Sequence, residues 1–204
     1  MSSYETQAPN ATSPQQERLP ILEAVPKSIP RYANGILYGL GGFTLLCFML
    51  LAASGIYMVA LGSGHPGFVS GHPELASFSH FVRAVHYWSA QFFMLFMFLH
   101  LLRVFFTGAY RRPREVTWMI GVLMMVMAII TGLLGYISRA DWSAQWHAVS
   151  AKDLFNAAHA GTLLNVLDYP LVFGLHVAVS PLIMIGLMAV HFVLIRLHGV
   201  ARPY

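Results

Sequence analysis

The stretch Arg83–Arg103, RAVHYWSAQFFMLFMFLHLLR, decides the fold. Between its two arginines there is no Asp, Glu, Lys or other Arg, only an apolar run carrying His86 and His100. A run of about 18 or more apolar residues is long enough to cross a bilayer. An ionisable residue inside such a span is costly and marks function by default. Fourteen residues turn a helix by about 1400°, some 40° short of four turns, and rise about 21 Å. The two histidines therefore share a face, one near each boundary of a hydrocarbon layer about 30 Å thick. Neutral imidazole is a good iron ligand, so the pair suggests two stacked metal centres. A lone membrane histidine could equally bond a neighbouring helix or line a proton path. A second, matching pair decides between these readings, and the chain supplies one.

The 204 residues are 57% hydrophobic and only 10% charged, with a mean hydropathy of +0.62. Soluble domains carry about 25% charged residues, so the composition is that of a membrane protein. Four windows lack Asp, Glu, Lys and Arg: Gly35–Leu61, Ala84–Leu102, Val116–Ser138 and Tyr169–Ile195. These are the first to fourth spans. A β-barrel would show alternating segments of roughly ten residues instead. The single cysteine, Cys47, excludes an intrachain disulfide and any all-cysteine metal site, and it reads as a small buried residue.

The net charge of +4 is distributed by membrane side. With four spans, both termini and the loop after the second span share one side. Arg18, Lys27, Arg31, Arg103, Arg111, Arg112, Arg114, Arg196 and Arg202 fall there, nine of the twelve basic residues. Excess basic residues mark the cytoplasmic side. Both termini are therefore expected on that negative side, in a bacterial cytoplasmic membrane rather than a thylakoid-type one.

Residues 1–18, rich in Ser, Gln, Pro and Ala with no apolar h-region, read as a disordered tail. Residues 19–34 mix Leu, Ile and Val with Lys27, Arg31 and prolines, which suits a short amphipathic segment on the membrane surface. Residues 35–204 form the four-span domain. The first connection, Gly62–Ser79, is Gly/Ser/Pro-rich, and its His65 and His72 read as solvated. The second, Thr107–Trp118, is a basic turn that Pro113 keeps from being helical. The third, Arg139–Asp168, is the most polar and is expected to hold one or two surface helices.

An internal repeat organises the spans. Gly41 and Gly55 in the first, and Gly121 and Gly135 in the third, are each 14 apart. The fourth carries His176 and His191, 15 apart, with Pro181 between them as an expected kink. Following the helix directions, His86, His176, Gly55 and Gly135 collect at the positive side. His100, His191, Gly41 and Gly121 collect at the negative side. Two imidazoles on opposite helices can hold a haem iron from both faces, while glycine lets a backbone approach a flat porphyrin. Arg83 and Arg103, at the ends of the second span, are placed to pair with haem propionates. Snorkelling explains each arginine alone equally well. The expected fold is an all-α integral membrane protein, a four-helix transmembrane bundle binding two stacked haems b through the metal ligands His86, His100, His176 and His191.

These residues also resemble a known family, cytochrome b of the bc and bf complexes in its short, split, plastid-type N-terminal form. The matching stretches are LGGFTLLCF (40–48), VRAVHYWSAQFFMLFMFLHLLRVFFTGAYRRPREVTW (82–118), the Gly121/Gly135 pair, and LHVAVSPLIMIGLMAVHFVLIRLHG (175–199). The 15-residue histidine step is similar to the split form, whereas the long mitochondrial type uses 14. The resemblance implies that His86 and His176 bind the positive-side haem and His100 and His191 the negative-side one. It also places Arg83, Arg103 and Arg114 near propionates or a negative-side quinone pocket. Two departures stand out. The cysteine that tethers a third haem in plastid-type relatives is Gly39 here, so no covalent haem c is expected. The family's Leu-Pro-Trp after the third span is replaced by Ile137-Ser138-Arg139-Ala140-Asp141, which puts charges where the wall of the quinol-oxidation pocket should be apolar.

The leading reading is a dihaem electron-transfer subunit. It joins a positive-side partner (a Rieske-type protein, a cytochrome c or another carrier) to a quinone near the negative side, within a dimeric complex of further membrane subunits. An alternative is the full quinol-oxidising cytochrome b, completed by a separate subunit. A haem-free anchor or transporter half is the remaining class, and it leaves four intramembrane histidines unexplained. Nothing in the sequence points to nucleic acid.

Overall fold

A computed structural model describes residues 35–61, 76–161 and 165–201. The expected tail and interfacial segment lie outside these residues, as do His65, His72 and Arg202.

Among the described residues the fold is entirely helical. Helices α1 (Ile36–Ala60), α2 (Ala76–Phe106), α3 (Glu115–Ile137) and α5 (Tyr169–His198) are each long and apolar enough to span a membrane. Helix α4 (Trp142–Ala157) links α3 to α5. The chain folds as two antiparallel hairpins, α1 with α2 and α3 with α5, joined mainly through α2 against α3. Outward faces are apolar and exposed, as with Phe92, Ile129 and Leu182, which is the surface a lipid solvent requires.

The uncharged windows mark the hydrocarbon depth rather than the helix ends. Helix α2 has 31 residues, about 46 Å at 1.5 Å per residue. It starts eight positions before the 84–102 window and runs four beyond it, so Ala76–Ser79 are helical rather than loop. Arg83 and Arg103 near its ends do not stop the helix, because arginine is a good helix former and the backbone keeps its own hydrogen bonds. The basic turn likewise ends earlier than expected: α3 begins at Glu115, so Val116–Trp118 are its first turn.

Helix α4 is the one surface helix among the described residues of the third connection. Asp141 caps it, its carboxylate accepting from the Ala144 N–H at 2.9 Å. Its small residues Ala144, Ala148 and Ala151 are buried. Ala148 and Ala151 pack with Leu134, Ile137, Val166 and Val172 into a cluster that fastens α4 across the end of the α3/α5 hairpin.

Midway along the bundle lies a second apolar layer. Cys47 of α1, Phe93 and Met97 of α2, Ala128 of α3 and Met184 of α5 form one buried cluster. In sequence, Ala128 sits halfway between Gly121 and Gly135, and Phe93 halfway between His86 and His100. Every membrane-spanning helix contributes to this floor between the two histidine levels.

At the expected kink, Leu175–Val179 form a π-helical turn directly before Pro181. Proline lacks the N–H that an α-helix would use there, and the wider turn absorbs the mismatch. The buried Ser180 hydroxyl donates to the Leu175 carbonyl, five residues back, at 2.9 Å. A π-turn holds one residue more than an α-turn. The 15-residue step from His176 to His191 therefore covers the arc that 14 residues cover in α2, which cancels the overshoot a regular helix would give.

Candidate functional site

The glycine–histidine repeat meets in space as four pairs. A Cβ built on Gly55 would lie 3.4 Å from His86 Cε1, and one on Gly41 would lie 3.3 Å from His100 Cε1. A Cβ on Gly121 would lie 3.7 Å from His191 Cε1, and one on Gly135 would lie 2.9 Å from both ring nitrogens of His176. Gly135, and less tightly Gly41, thus make room for the edge of an imidazole, while the contacts at Gly55 and Gly121 would be ordinary ones. Helix α1 serves both histidines of α2, and α3 serves both histidines of α5.

At the level nearer α4, the His86 and His176 ring centroids are 6.3 Å apart with their planes nearly perpendicular, at 82°. An atom midway would be about 3.2 Å from each centroid, so the separation leaves room for a single atom between the rings. The far nitrogens are already used. His176 Nδ1 lies 3.0 Å from the Thr131 carbonyl, which can only accept, so Nδ1 carries the proton. His86 Nδ1 lies 2.9 Å from Ser54 Oγ, whose own hydrogen points to the Leu50 carbonyl at 2.6 Å. Ser54 must therefore accept from His86. Both rings are held as Nδ1–H tautomers with the Nε2 lone pair left for a ligand, the arrangement typical of metal-binding histidines.

The level nearer the α2–α3 turn is built differently. His100 Nδ1 and His191 Nδ1 are buried without a hydrogen-bond partner. Thr117 stands 14 residues before Thr131, yet its carbonyl makes no hydrogen bond to His191 Nδ1.

A haem fits this donor set. Among the described residues no three His, Cys, Asp or Glu side chains converge, so the protein offers two imidazoles per level. Two imidazoles per level are what a haem iron, already held by its macrocycle, requires of a protein.

The arginines take varied places. The Arg103 guanidinium lies 3.8 Å over the Tyr38 ring, tying the end of α2 to the start of α1. Arg114 donates from Nε to the Gly199 carbonyl at 3.2 Å and from its terminal nitrogen to the His198 carbonyl at 3.1 Å. It thus caps the end of α5, whose last carbonyls have no partner within the helix. Arg83 lies in the second turn of α2.

Beyond α3, Arg139 and Asp141 form an ion pair with each other, and Arg139 lies 5.0 Å over the Tyr136 ring. The Tyr136 hydroxyl is 2.7 Å from Ser143 Oγ, and its ring meets His147 at 4.7 Å. The two charges expected to disturb an apolar wall are therefore turned on one another and into the α4 cap. The Ala144 N–H, and then Arg139, hold the Asp141 carboxyl below the usual carboxylate range.

Sequence reasoning missed Ser54 and Thr131, the two groups that orient His86 and His176. Each lies close to a glycine of the repeat, Ser54 immediately before Gly55 and Thr131 one turn before Gly135. That placement is the only sequence signal they carry.

Comparison with known proteins converges on one family. The model of the N-terminal cytochrome b/b6/petB family matches residues 91–204. Cytochrome b6 of Heliobacterium modesticaldum is 29% identical over 92% of this chain and 98% of its own. Cytochrome b6 of Prochlorococcus marinus strain NATL1A is 31% identical over 92% of this chain and 94% of its own. Among solved structures, a chain of a hyperthermophilic respiratory complex III superposes with a TM-score of 0.73 at 25% identity. The match covers 89% of this chain and 52% of that one, so this chain spans about half its length. Four apolar spans, a donor set suited to haem b and relatives matched over nearly their whole length lead to one conclusion: the chain belongs to the N-terminal cytochrome b/b6/petB family and is a multi-pass membrane electron-transfer subunit of a bc/bf-type complex.

Proposed function

We propose that the chain holds two haems b without covalent attachment, His86 and His176 binding one and His100 and His191 the other. The observation that carries this reading is the 6.3 Å separation of the His86 and His176 rings, with both Nδ1 atoms engaged elsewhere. Haem supplies reversible one-electron chemistry when bound. The chain's own residues do the rest. Ser54 and the Thr131 carbonyl fix the tautomer of the ligands nearer α4. The glycines set how close the imidazoles lie to α1 and α3. The π-turn brings His176 onto the face of His191. The floor of Cys47, Phe93, Met97, Ala128 and Met184 keeps water from between the levels. Arg83 and Arg103 meet propionates at the two interfaces.

Both termini face the negative side, so the His86/His176 level is the positive one, beneath α4. Electrons pass between a Rieske-type protein, a cytochrome c or a similar carrier docked there and a quinone near Arg114, in a dimeric complex in a bacterial cytoplasmic membrane. Haem content tests the ligand set. The purified complex should hold two haems b per chain, and His86→Ala and His191→Ala should each lose at least one. Retention of both haems in either variant overturns the reading.

A second reading, full quinol oxidation at the positive side with a separate subunit completing the pocket, is favoured by the Arg139–Asp141 pair. Its mutual neutralisation removes the net charge from the segment that follows α3. Block of quinol oxidation by stigmatellin-like inhibitors would select this reading. Insensitivity would select the electron-wire reading with an altered outer pocket.

A further inference from the structure

Ser54 faces the inside of the bundle, is almost fully buried, and is the only side chain hydrogen-bonded to any of the four intramembrane histidines among the described residues. Its hydroxyl has one hydrogen and two acceptor lone pairs. The hydrogen goes to the Leu50 carbonyl at 2.6 Å, with the Leu51 carbonyl at 3.2 Å as a weaker second acceptor. These contacts within α1 fix the rotor, so the lone pair that meets His86 Nδ1 at 2.9 Å has a set direction. The serine therefore acts only as an acceptor toward this ring. The contact links α1 to α2 across 32 residues of sequence, and Gly55 beside it lets the ring edge reach that depth.

We propose that Ser54 is a positioning residue that sets both the ring plane of His86 and the redox potential of the haem it ligates. The proposal rests on the ligand assignment made above. A ring that donates from Nδ1 is more basic at Nε2. A more basic axial ligand favours the oxidised iron, and second-shell hydrogen bonding is one of the levers a protein has on haem potential. Through Ser54 the potential of one haem is thus adjusted from α1, which supplies no ligand. Among the described residues the other level has no such side chain: His100 Nδ1 and His191 Nδ1 are both unpartnered. A change at position 54 should therefore act on one haem alone.

The test is a redox titration of the isolated complex, with EPR of the two low-spin ferric signals. In Ser54→Ala, the midpoint of one haem should rise and its largest g value should shift as the ring is freed to turn. The other haem should keep both values. Thr and Val have nearly the same shape but only Thr keeps the acceptor, so Ser54→Thr should match the parent and Ser54→Val should match Ser54→Ala. This pair separates hydrogen bonding from packing even if the alanine variant assembles poorly. The parent protein gives a further readout: pulsed EPR should find the exchangeable Nδ1 proton coupled to the same haem. Unmoved midpoints in Ser54→Ala and Ser54→Val, with two haems present, would show that the nearby Leu51 carbonyl takes over and would overturn the role of Ser54 alone. Equal shifts of both haems, or Ser54→Thr behaving as Ser54→Val, would also overturn it. Fewer than two haems in the parent complex would instead remove the ligand assignment.

Discussion

Replacing Gly135 by alanine puts a methyl group where the His176 ring already lies. The new Cβ would stand 2.9 Å from both Nδ1 and Nε2, and closer still to Cε1. Carbon contacts become comfortable at about 3.5 Å, so the ring must retreat by at least about 1 Å. Backbone on both sides leaves few routes: Cα of α3 cannot yield, and His176 sits in a π-turn clamped by Ser180. Overpacking of this kind costs about 1–3 kcal/mol. The retreat also stretches the 3.0 Å bond from His176 Nδ1 to the Thr131 carbonyl, and loss of a buried hydrogen bond costs about 1–3 kcal/mol more. Against this, alanine favours a helix over glycine by about 1 kcal/mol. The net penalty of about 1–5 kcal/mol predicts haem retention at this level weakened by about 5- to 4,000-fold, at 1.4 kcal/mol per decade. Gly121→Ala is the matched control, because its Cβ would meet His191 at 3.7 Å, an ordinary contact. Haem quantification and redox difference spectra on membranes would read the effect. Gly135→Ala retaining two haems with unchanged spectra, while Gly121→Ala loses one, would refute this use of the glycine geometry.

Three further outcomes are expected. A denaturing gel stained for haem peroxidase should show no band for this chain, because Gly39 stands where a tethering cysteine is needed and Cys47 is buried in the central floor; a clear band would refute it. Cysteines placed at Ser3 and Ser70 in a Cys47→Ala background should be reached by membrane-impermeant reagents from the cytoplasmic and outer faces respectively, and the reverse pattern would invert the assignment of levels to sides. Asp141→Ala should fray the start of α4 by about 0.5–2 kcal/mol, read as faster tryptic cleavage at Arg139 and Lys152, while Asp141→Asn keeps the cap. Since the folded carboxyl sits below its ordinary value, its contribution is present above about pH 4 and is lost as pH falls through the folded value; tryptophan emission should move there in the parent and not in Asp141→Asn.

The spans were legible because the bilayer imposes a length and forbids charge, so four windows without charged residues stand out in the sequence. The two levels were legible because the spacings of 14 are close to whole turns of a helix. Helix ends were less so: α2 overruns its window at Arg83 and Arg103, since hydropathy reports the solvent and not the backbone hydrogen bonding. The π-turn left a trace, the odd step of 15 together with Pro181, but periodicity alone reads that as an overshoot of about 60°. Thr131 was invisible because its carbonyl does the work, and every residue has one. Arg114 drew notice for its charge, whereas the structure engages it on the carbonyls of His198 and Gly199.

The central floor has a consequence for energy coupling. Because Cys47, Phe93, Met97, Ala128 and Met184 close the space between the levels, the membrane voltage falls across that layer rather than being short-circuited by water. The levels are separated by about 21 Å of helix in a hydrocarbon layer of about 30 Å. An electron moving between them therefore crosses roughly two-thirds of the voltage, worth about 1.6 kcal/mol per 100 mV. With the two haems and the sidedness proposed above, traffic through this chain would be geared to the charge state of the membrane: a polarised bilayer would resist electrons moving toward the cytoplasmic face, and a collapsed one would release them.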